Sequence, residues 1–398
     1  MPLTLLLDLD DTLLESNMDT FIPSYFKALS RSLEGFVEED RMLPALLVGT
    51  RLMMLNNDPA CLLRQVFDDS FFPALGLDRE KLQQAIDHFY EAVFPELKSL
   101  TRQKPEAVAF VEWAFQQQCR VAIATNPLFP LKAIQHRLDW AGLPHKDYQF
   151  ALVSSYETFH FTKTTPAYYA EVVGRLGCHD DPVVMVGDDL ERDILPSRSL
   201  GLTAFWIRKP KAKRELPEIP QGTLVDLRQW LEHVVISSLK PAFGTPMSLL
   251  SLLRATPAVL DSLTLSMPEY LWEKVPGPDE WSPEEIVGHL LEVERDIHIP
   301  HLEKILPIEP APRQGKEAPR RIDAHYPAAT KGRALLGDFC NQRKHTLSLL
   351  EESKIQWEAQ AQHMDMEPAI LMEKLRKIAE HDRIHLRQFA AHFQDTAL

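Results

Sequence analysis

At 398 residues the chain is too long for one typical hydrophobic core, so two domains are expected. Its 45% apolar and 25% charged composition is that of a globular protein, and no apolar run reaches the length of a membrane span. A net charge of -14 disfavours a general nucleic-acid role, because phosphate backbones attract basic surfaces.

The chain opens with MPLTLLLDLD, which has no basic segment and meets acid within ten residues. It does not read as a signal peptide, and a cytoplasmic protein is expected. Leu3–Leu9 reads as a short buried strand that ends among Asp8, Asp10 and Asp11. Residues 17 to about 100 carry helical periodicity and no convincing strand, which suggests a helical insertion. Beyond it, strands at Val121–Thr125, Phe150–Ser154, Val183–Val186 and Thr203–Ile207 alternate with helices at Glu106–Gln118, Leu131–Ala141 and Pro166–Leu176. That order predicts an α/β fold with a doubly wound parallel sheet.

A basic, proline-containing segment follows at 208–222, then a closing helix around Leu227–Val235, and the first domain is set at 1–236. Residues 237–246 have the small and proline residues of a linker. The remainder, 247–398, reads as all-helical, with segments at about 247–264, 283–306, 330–352 and 368–394. Pro257 is expected to kink or break the first of these, and 307–327 is expected to be an exposed loop. Cys61, Cys119, Cys178 and Cys340 lack metal-site or redox spacing and read as free buried thiols in a reducing cytoplasm.

In an open parallel sheet, ligands bind beyond the carboxyl ends of the strands. Those ends carry Asp8 and Asp10, Thr125 and Asn126, and Asp188, Asp189 and Asp193, with Lys163 ahead of a helix start. If Asp8, Asp10 and Asp188 share a cleft, each close pair repels by about 4 kcal/mol at 4 Å and an effective dielectric near 20. One lysine cannot offset that. Oxygen-only ligands favour Mg²⁺, which suits phosphate chemistry.

DLDDTL at 8–13, Thr125, Lys163 and GDDLERD at 187–193, in that order, resemble the haloacid dehalogenase-like (HAD) hydrolases over roughly 1–236. The resemblance implies a Rossmann-like core with a helical cap at 17–100. It implies Asp8 as nucleophile, forming an aspartyl-phosphate, and Asp10 as general acid and then base. Thr125 and Lys163 would hold the phosphoryl group. Asn126 is counted with them, with capping of the helix after Pro127 as its alternative. Asp8, the Asp10 carbonyl and Asp188 would hold Mg²⁺, with Asp193 beside them and Asp189 an alternative ligand. Two threonines stand between Lys163 and Pro166, where the family has proline directly after the lysine; a solvated surface lysine is the rival reading. Dehalogenases are implied to lack an acid at the position of Asp10, so a phosphatase acting on a small phosphorylated metabolite is favoured.

In the second domain, Ser282, Pro283 and Glu285 predict a capped helix start, with Ile286, Leu290, Val293 and Ile297 facing a core and His289 flanking them. The last helix carries an inner stripe of Leu371, Leu375, Ile378, Asp382, His385, Phe389 and His392. His381 and His385 are one turn apart on it. WSPEEIVGHL followed by HDRIHLRQ resembles the DinB/YfiT-like four-helix bundles, which implies a metal on His289, His381 and His385. Zn²⁺ or Ni²⁺ suits three imidazoles and water. Asp382 and His392 are candidates for orienting the imidazoles, whereas His298 and His301 weigh little as ligands. Two alternatives stay open: a thiol-dependent transferase as the main activity, or a non-catalytic bundle for homodimerisation or sensing. Arg51 and Arg64 are the cap cations considered for a second anionic group of the substrate, with solvated helix residues as the rival reading.

Overall fold

The computed structural model describes residues 2–208, 216–278, 280–306, 331–352 and 366–394. The expected loop at 307–327 and part of the basic segment at 208–222 lie outside them. The chain divides into two compact units, Met1–Val172 with Asp180–Thr245, and Val173–His179 with Pro246–Leu398. No helix among the described residues is long and apolar enough to cross a membrane, and no disulfide links the four cysteines; Cys178 and Cys340 are buried as expected, whereas Cys61 and Cys119 are only half-buried.

The first unit is built on a six-stranded parallel sheet. Its strands are β1 (Thr4–Leu7), β4 (Arg120–Ile123), β5 (Leu152–Val153), β6 (Val183–Gly187), β7 (Thr203–Ile207) and β8 (Gln221–Gly222), in the order β5-β4-β1-β6-β7-β8. β1 is buried along its whole length, as an apolar run between two parallel neighbours must be. Leu7 stands level with Ile123 on one side and Val186 on the other. That register ends three strands at one edge, so Asp8, Thr125 and Asp188 leave the sheet together. The strand expected at Phe150–Ser154 is reduced to two residues, and the two-residue β8 has too little pattern to be seen in the sequence.

Helices α5 (Pro105–Gln116), α6 (Leu131–Trp140), α7 (Pro166–Arg175), α8 (Leu195–Leu200) and α9 (Leu224–His233) connect and follow the strands. Between β1 and α5 the chain makes a helical cap of α1 (Met18–Leu33), α2 (Glu39–Leu55), α3 (Leu63–Leu75) and α4 (Arg79–His88). A π turn (Phe89–Val93) and a 3₁₀ turn (Phe94–Leu100) complete it. Entry and exit are tied by a two-stranded antiparallel sheet, β2 (Leu14–Ser16) on β3 (Thr101–Gln103), which three-residue strands do not announce in sequence. Inside, Phe21, Tyr25, Phe89 and Phe94 pack edge to face or tilted, with Trp140 stacked on Phe94 at 5.4 Å. The cap is also stitched to the loop that leads to Lys163. Leu63 N donates to Phe159 O (2.8 Å), Arg64 N to Tyr156 O (2.9 Å) and Asn56 Nδ2 to His160 O (2.9 Å).

The second unit contains α10 (Pro246–Thr264), α11 (Pro283–Val293), α12 (Ile299–Ile305), α13 (Lys331–Glu352) and α14 (Met366–Gln394). α10 runs through Pro257 without a break, so of the two expected outcomes there a break is ruled out. The capping box at Ser282 forms, with Glu285 N donating to Ser282 Oγ at 3.2 Å and Ser282 N to Glu285 Oε2 at 2.8 Å. The helix expected as one piece over 283–306 is interrupted by a π turn, Glu294–His298, between α11 and α12. A π turn adds a residue and rotates the face beyond it. Ile297 is therefore exposed and Glu294 and His298 are buried, reversing the predicted stripe.

Candidate functional site

β1 ends in a tight turn. Leu13 N and Leu14 N both donate to Leu9 O, and Asp11 adopts φ 58°, a left-handed conformation that aspartate tolerates. Asp11 Oδ1 accepts from Ser16 N at 3.0 Å, so this acid shapes the turn. Lys104 Nζ bonds the carbonyls of Asp11 (3.1 Å) and Thr12 (2.8 Å) from the cap's exit.

The turn opens on a cleft of about 940 Å³. Asp8, Asp10, Thr125, Asn126, Lys163, Asp188, Asp189 and Asp193, all singled out in the sequence, line it. One oxygen each from Asp8, Asp188 and Asp193 lies within 4.8 Å of the others. The Asp10 carboxylate is outside that group and contacts Arg137. Asp189 does not join it either. Its side chain caps the following turn, accepting from Glu191 N (2.9 Å) and Arg192 N (3.0 Å).

Lys163 is 1% exposed, which removes the surface-lysine reading. Its Nζ lies 2.6 Å from Asp8 Oδ1 and 2.5 Å from Asp193 Oδ1. The two extra threonines do not displace it. Burial pushes the Lys163 ammonium pKa down, but Asp193 and Asp8 outweigh burial and the net shift is upward. Burial pushes the Asp193 carboxyl up to about 7, helped by the Asp8 charge and opposed by Lys163. The pocket is thus short of positive charge, and its oxygen-only donors fit a hard divalent cation.

Asn126 does not cap a helix. Its Oδ1 accepts from Lys163 N (3.3 Å), and the start of α6 is held by Glu157, whose Oε2 accepts from Leu131 N at 3.0 Å. Tyr168 donates to the Thr125 carbonyl at 2.9 Å and fixes that strand end. Arg51 and Arg64 are not among the residues lining the cleft; Arg64 pairs with Asp68 at 3.6 Å.

Sequence reasoning passed over Arg137. It lies on the inner face of α6 with Ala133, Ile134 and Leu138, and is 1% exposed. Its guanidinium pairs with Asp10 and sits 5.2 Å and 5.8 Å from the Phe129 and Phe21 ring centres. Burial draws it down to about 10, against the pull of Asp8. The signal was available: a charge at helical spacing within an apolar stripe.

In the second unit, ring nitrogens of His289, His381 and His385 lie within 4.8 Å of one another. His289 Nε2 and His381 Nε2 face each other at 3.0 Å. His385 Nδ1 bonds Gln388 Oε1 at 2.8 Å, a contact that leaves its Nε2 as the nitrogen available to an ion. Burial pushes His381 down to about 4 and lowers His385 as well, which favours the neutral state of these two rings, the state that binds metal. Trp281 stacks on His385 at 5.5 Å and 8°. Gln388 therefore does what was expected of Asp382 and His392. Asp382 instead pairs with buried Arg343 (2.5 Å) and accepts from Thr256 (2.8 Å), and His392 bonds the Trp281 carbonyl (3.0 Å). Arg343 also holds Glu294, whose carboxyl falls to about 2: burial raises it, but Arg343 outweighs burial. His298 pairs with Glu294 at 3.1 Å and His301 Nδ1 contacts Lys374 at 3.2 Å, so neither joins the triad.

Comparison with known proteins gives two family matches: haloacid dehalogenase-like hydrolase over residues 3–201, half of the chain, and DinB superfamily over 252–389. A curated relative, phosphoserine phosphatase from Thermus thermophilus, is 27% identical over 125 residues, 31% of this chain. The match spans about half, 48%, of that relative's length. Among solved structures, a HAD phosphatase from Thermococcus onnurineus is 24% identical, with 58% of this chain and 98% of that one covered and a TM-score of 0.38. A 2-haloacid dehalogenase from Pseudomonas syringae is 22% identical, with 58% and 99% covered and a TM-score of 0.43.

Proposed function

Because the chain belongs to the haloacid dehalogenase-like hydrolases and carries a DinB-superfamily region, we propose that its first unit is a magnesium-dependent phosphatase of small phosphorylated metabolites. The observation that carries this reading is the buried Lys163 ammonium set between Asp8 and Asp193, with Asp188 closing an all-oxygen cluster.

Asp8, Asp188 and Asp193, with the Asp10 carbonyl, would hold Mg²⁺, which supplies charge neutralisation for a bound phosphate. Asp8 is the nucleophile: its carboxylate oxygen bonds phosphorus as the ester oxygen leaves, giving an aspartyl-phosphate. Asp10 supplies the proton to the leaving oxygen and then takes one from the water that hydrolyses the acyl phosphate. Lys163 and the Thr125 hydroxyl hold the phosphoryl oxygens at the edge where β1 and β4 end, and Lys163 keeps the Asp8 oxygen oriented. Halide displacement needs no proton on the leaving group, so an acid lining the cleft at Asp10 favours phosphoryl transfer.

The His289, His381 and His385 cluster of the second unit is proposed as a Zn²⁺ or Ni²⁺ site. Turnover of p-nitrophenyl phosphate tests the phosphatase reading. Magnesium-dependent hydrolysis that is lost in Asp8→Asn is expected; activity retained by Asp8→Asn would overturn the role of Asp8.

A further inference from the structure

Four cationic side chains line the cleft. Lys163 is engaged by Asp8 and Asp193, Arg102 pairs with Glu15 at 2.5 Å, and Arg192 pairs with Asp189 at 2.5 Å. Arg137 is committed to Asp10, through Asp10 Oδ2. The other oxygen of that carboxylate, Oδ1, is buried and has no hydrogen-bond partner among the described residues.

Arg137 is itself held from several sides. α6 presents it from the core, and the Phe21 ring of the cap and the Phe129 ring of the core loop lie against its guanidinium. A guanidinium so confined fixes the place of the carboxylate oxygen it meets more firmly than a freely rotating ammonium would. The Asp10 backbone is restrained as well, since Lys104 holds the carbonyls of the next two residues.

We infer that Arg137 is a positioning residue for the leaving-group step: through its contact with Asp10 Oδ2 it sets where the Asp10 carboxyl stands against the departing ester oxygen. This rests on the reading of the first unit as a phosphatase with Asp10 as its acid. In that step the phosphorus–oxygen ester bond breaks, the electron pair stays on the leaving oxygen, and Asp10 supplies its proton. Arg137 does not touch the phosphate. Its contribution therefore scales with how much the leaving group needs a proton, and it is small for a leaving group that is already stable as an anion.

The test is kcat/KM, which reports the steps through phosphorylation of Asp8, for p-nitrophenyl phosphate and for unsubstituted phenyl phosphate. It is measured on the full chain for the wild type, Arg137→Met, Arg137→Lys, Asp10→Asn and the Asp10→Asn/Arg137→Met double variant. General acid catalysis supplies roughly 10² or more, so Arg137→Met should lose about 100-fold on phenyl phosphate and only about 3-fold on p-nitrophenyl phosphate. Arg137→Lys, which keeps the charge, should recover part of the phenyl phosphate loss, and the double variant should be no worse on it than Asp10→Asn alone. Equal losses on both esters, or no loss on either, would overturn the inference. Should Arg137→Met fail to fold, the same split in Arg137→Lys decides. A wild type inactive on both esters would instead sink the phosphatase reading, a separate failure.

Discussion

Lys163 Nζ stands 2.6 Å from Asp8 Oδ1, although 155 positions separate the two residues in the chain. The contact joins the loop after β5 to the end of β1, and both side chains are buried. Replacing the lysine with methionine leaves Asp8 and Asp193 facing each other without their ammonium. Removing one partner of a buried pair costs about 3 kcal/mol or more. Lys163→Met should therefore lower the melting temperature of the metal-free protein. It should also cut kcat at least ~100-fold, because an electrostatic stabiliser of the transferring phosphoryl group is gone. Thermal unfolding and steady-state turnover of p-nitrophenyl phosphate check the two halves.

Gly187, the last residue of β6, has no room for a side chain. A Cβ there would stand 2.2 Å from Asp193 Oδ2 and 2.3 Å from its Cγ. Gly187→Ala must push Asp193 away from Lys163 and from Asp189 N, which donates to Asp193 at 3.0 Å. Displacing a carboxylate of this cluster should weaken magnesium activation by about 10- to 100-fold. The circular dichroism of the sheet should be unchanged. An unaltered magnesium activation constant would contradict the role given to Asp193.

The raised Asp193 pKa fixes a sign for pH dependence. Its folded value of about 7 lies above the ordinary carboxylate value of 3.8. Between those limits the folded chain keeps a proton that the unfolded chain has released, so metal-free stability falls as pH rises through that window. A cation that relieves the charge restores most where the loss is greatest. The gain in melting temperature on adding Mg²⁺ should thus be larger at about pH 8 than at about pH 5, and Asp193→Asn should flatten the difference.

In the bundle, Gln388 Oε1 fixes the ring of His385 through Nδ1. Partners that orient a ligating imidazole typically contribute 10- to 100-fold in metal affinity, so Gln388→Leu should weaken Zn²⁺ or Ni²⁺ binding by about that factor. The triple variant His289→Ala/His381→Ala/His385→Ala should lose binding altogether. Chelator-competition titration measures both. Retention of one bound transition metal by the triple variant would remove the site.

Much of this was legible because the chemistry sits at strand ends. Apolar runs such as Leu5–Leu7 and Val183–Val186 mark the sheet, and the polar residues that stop them mark the cleft. His381 and His385 were visible for a similar reason, since a four-residue spacing on a long periodic helix determines their neighbourhood. What escaped notice depends on geometry that pattern does not encode. The π turn at Glu294–His298 exposes Ile297, which was expected to face the core, and buries Glu294 and His298 instead, and no local propensity announces it. The pairing of Arg137 with Asp10 joins residues 127 positions apart, and only the odd charge on the inner face of α6 hinted at it. The short β2 and β3 strands pair across the whole cap, too few residues each to show alternation.

Chemical trapping of the covalent intermediate tests the central claim most directly. The protein is mixed with Mg²⁺ and p-nitrophenyl phosphate, quenched during turnover, reduced with borohydride and digested. Reduction converts an aspartyl-phosphate to homoserine, and peptide mass spectrometry locates it. The account predicts homoserine at position 8, dependent on both magnesium and substrate and absent from Asp8→Asn. Steady turnover with Asp8 unmodified, or a label at another residue, would contradict it.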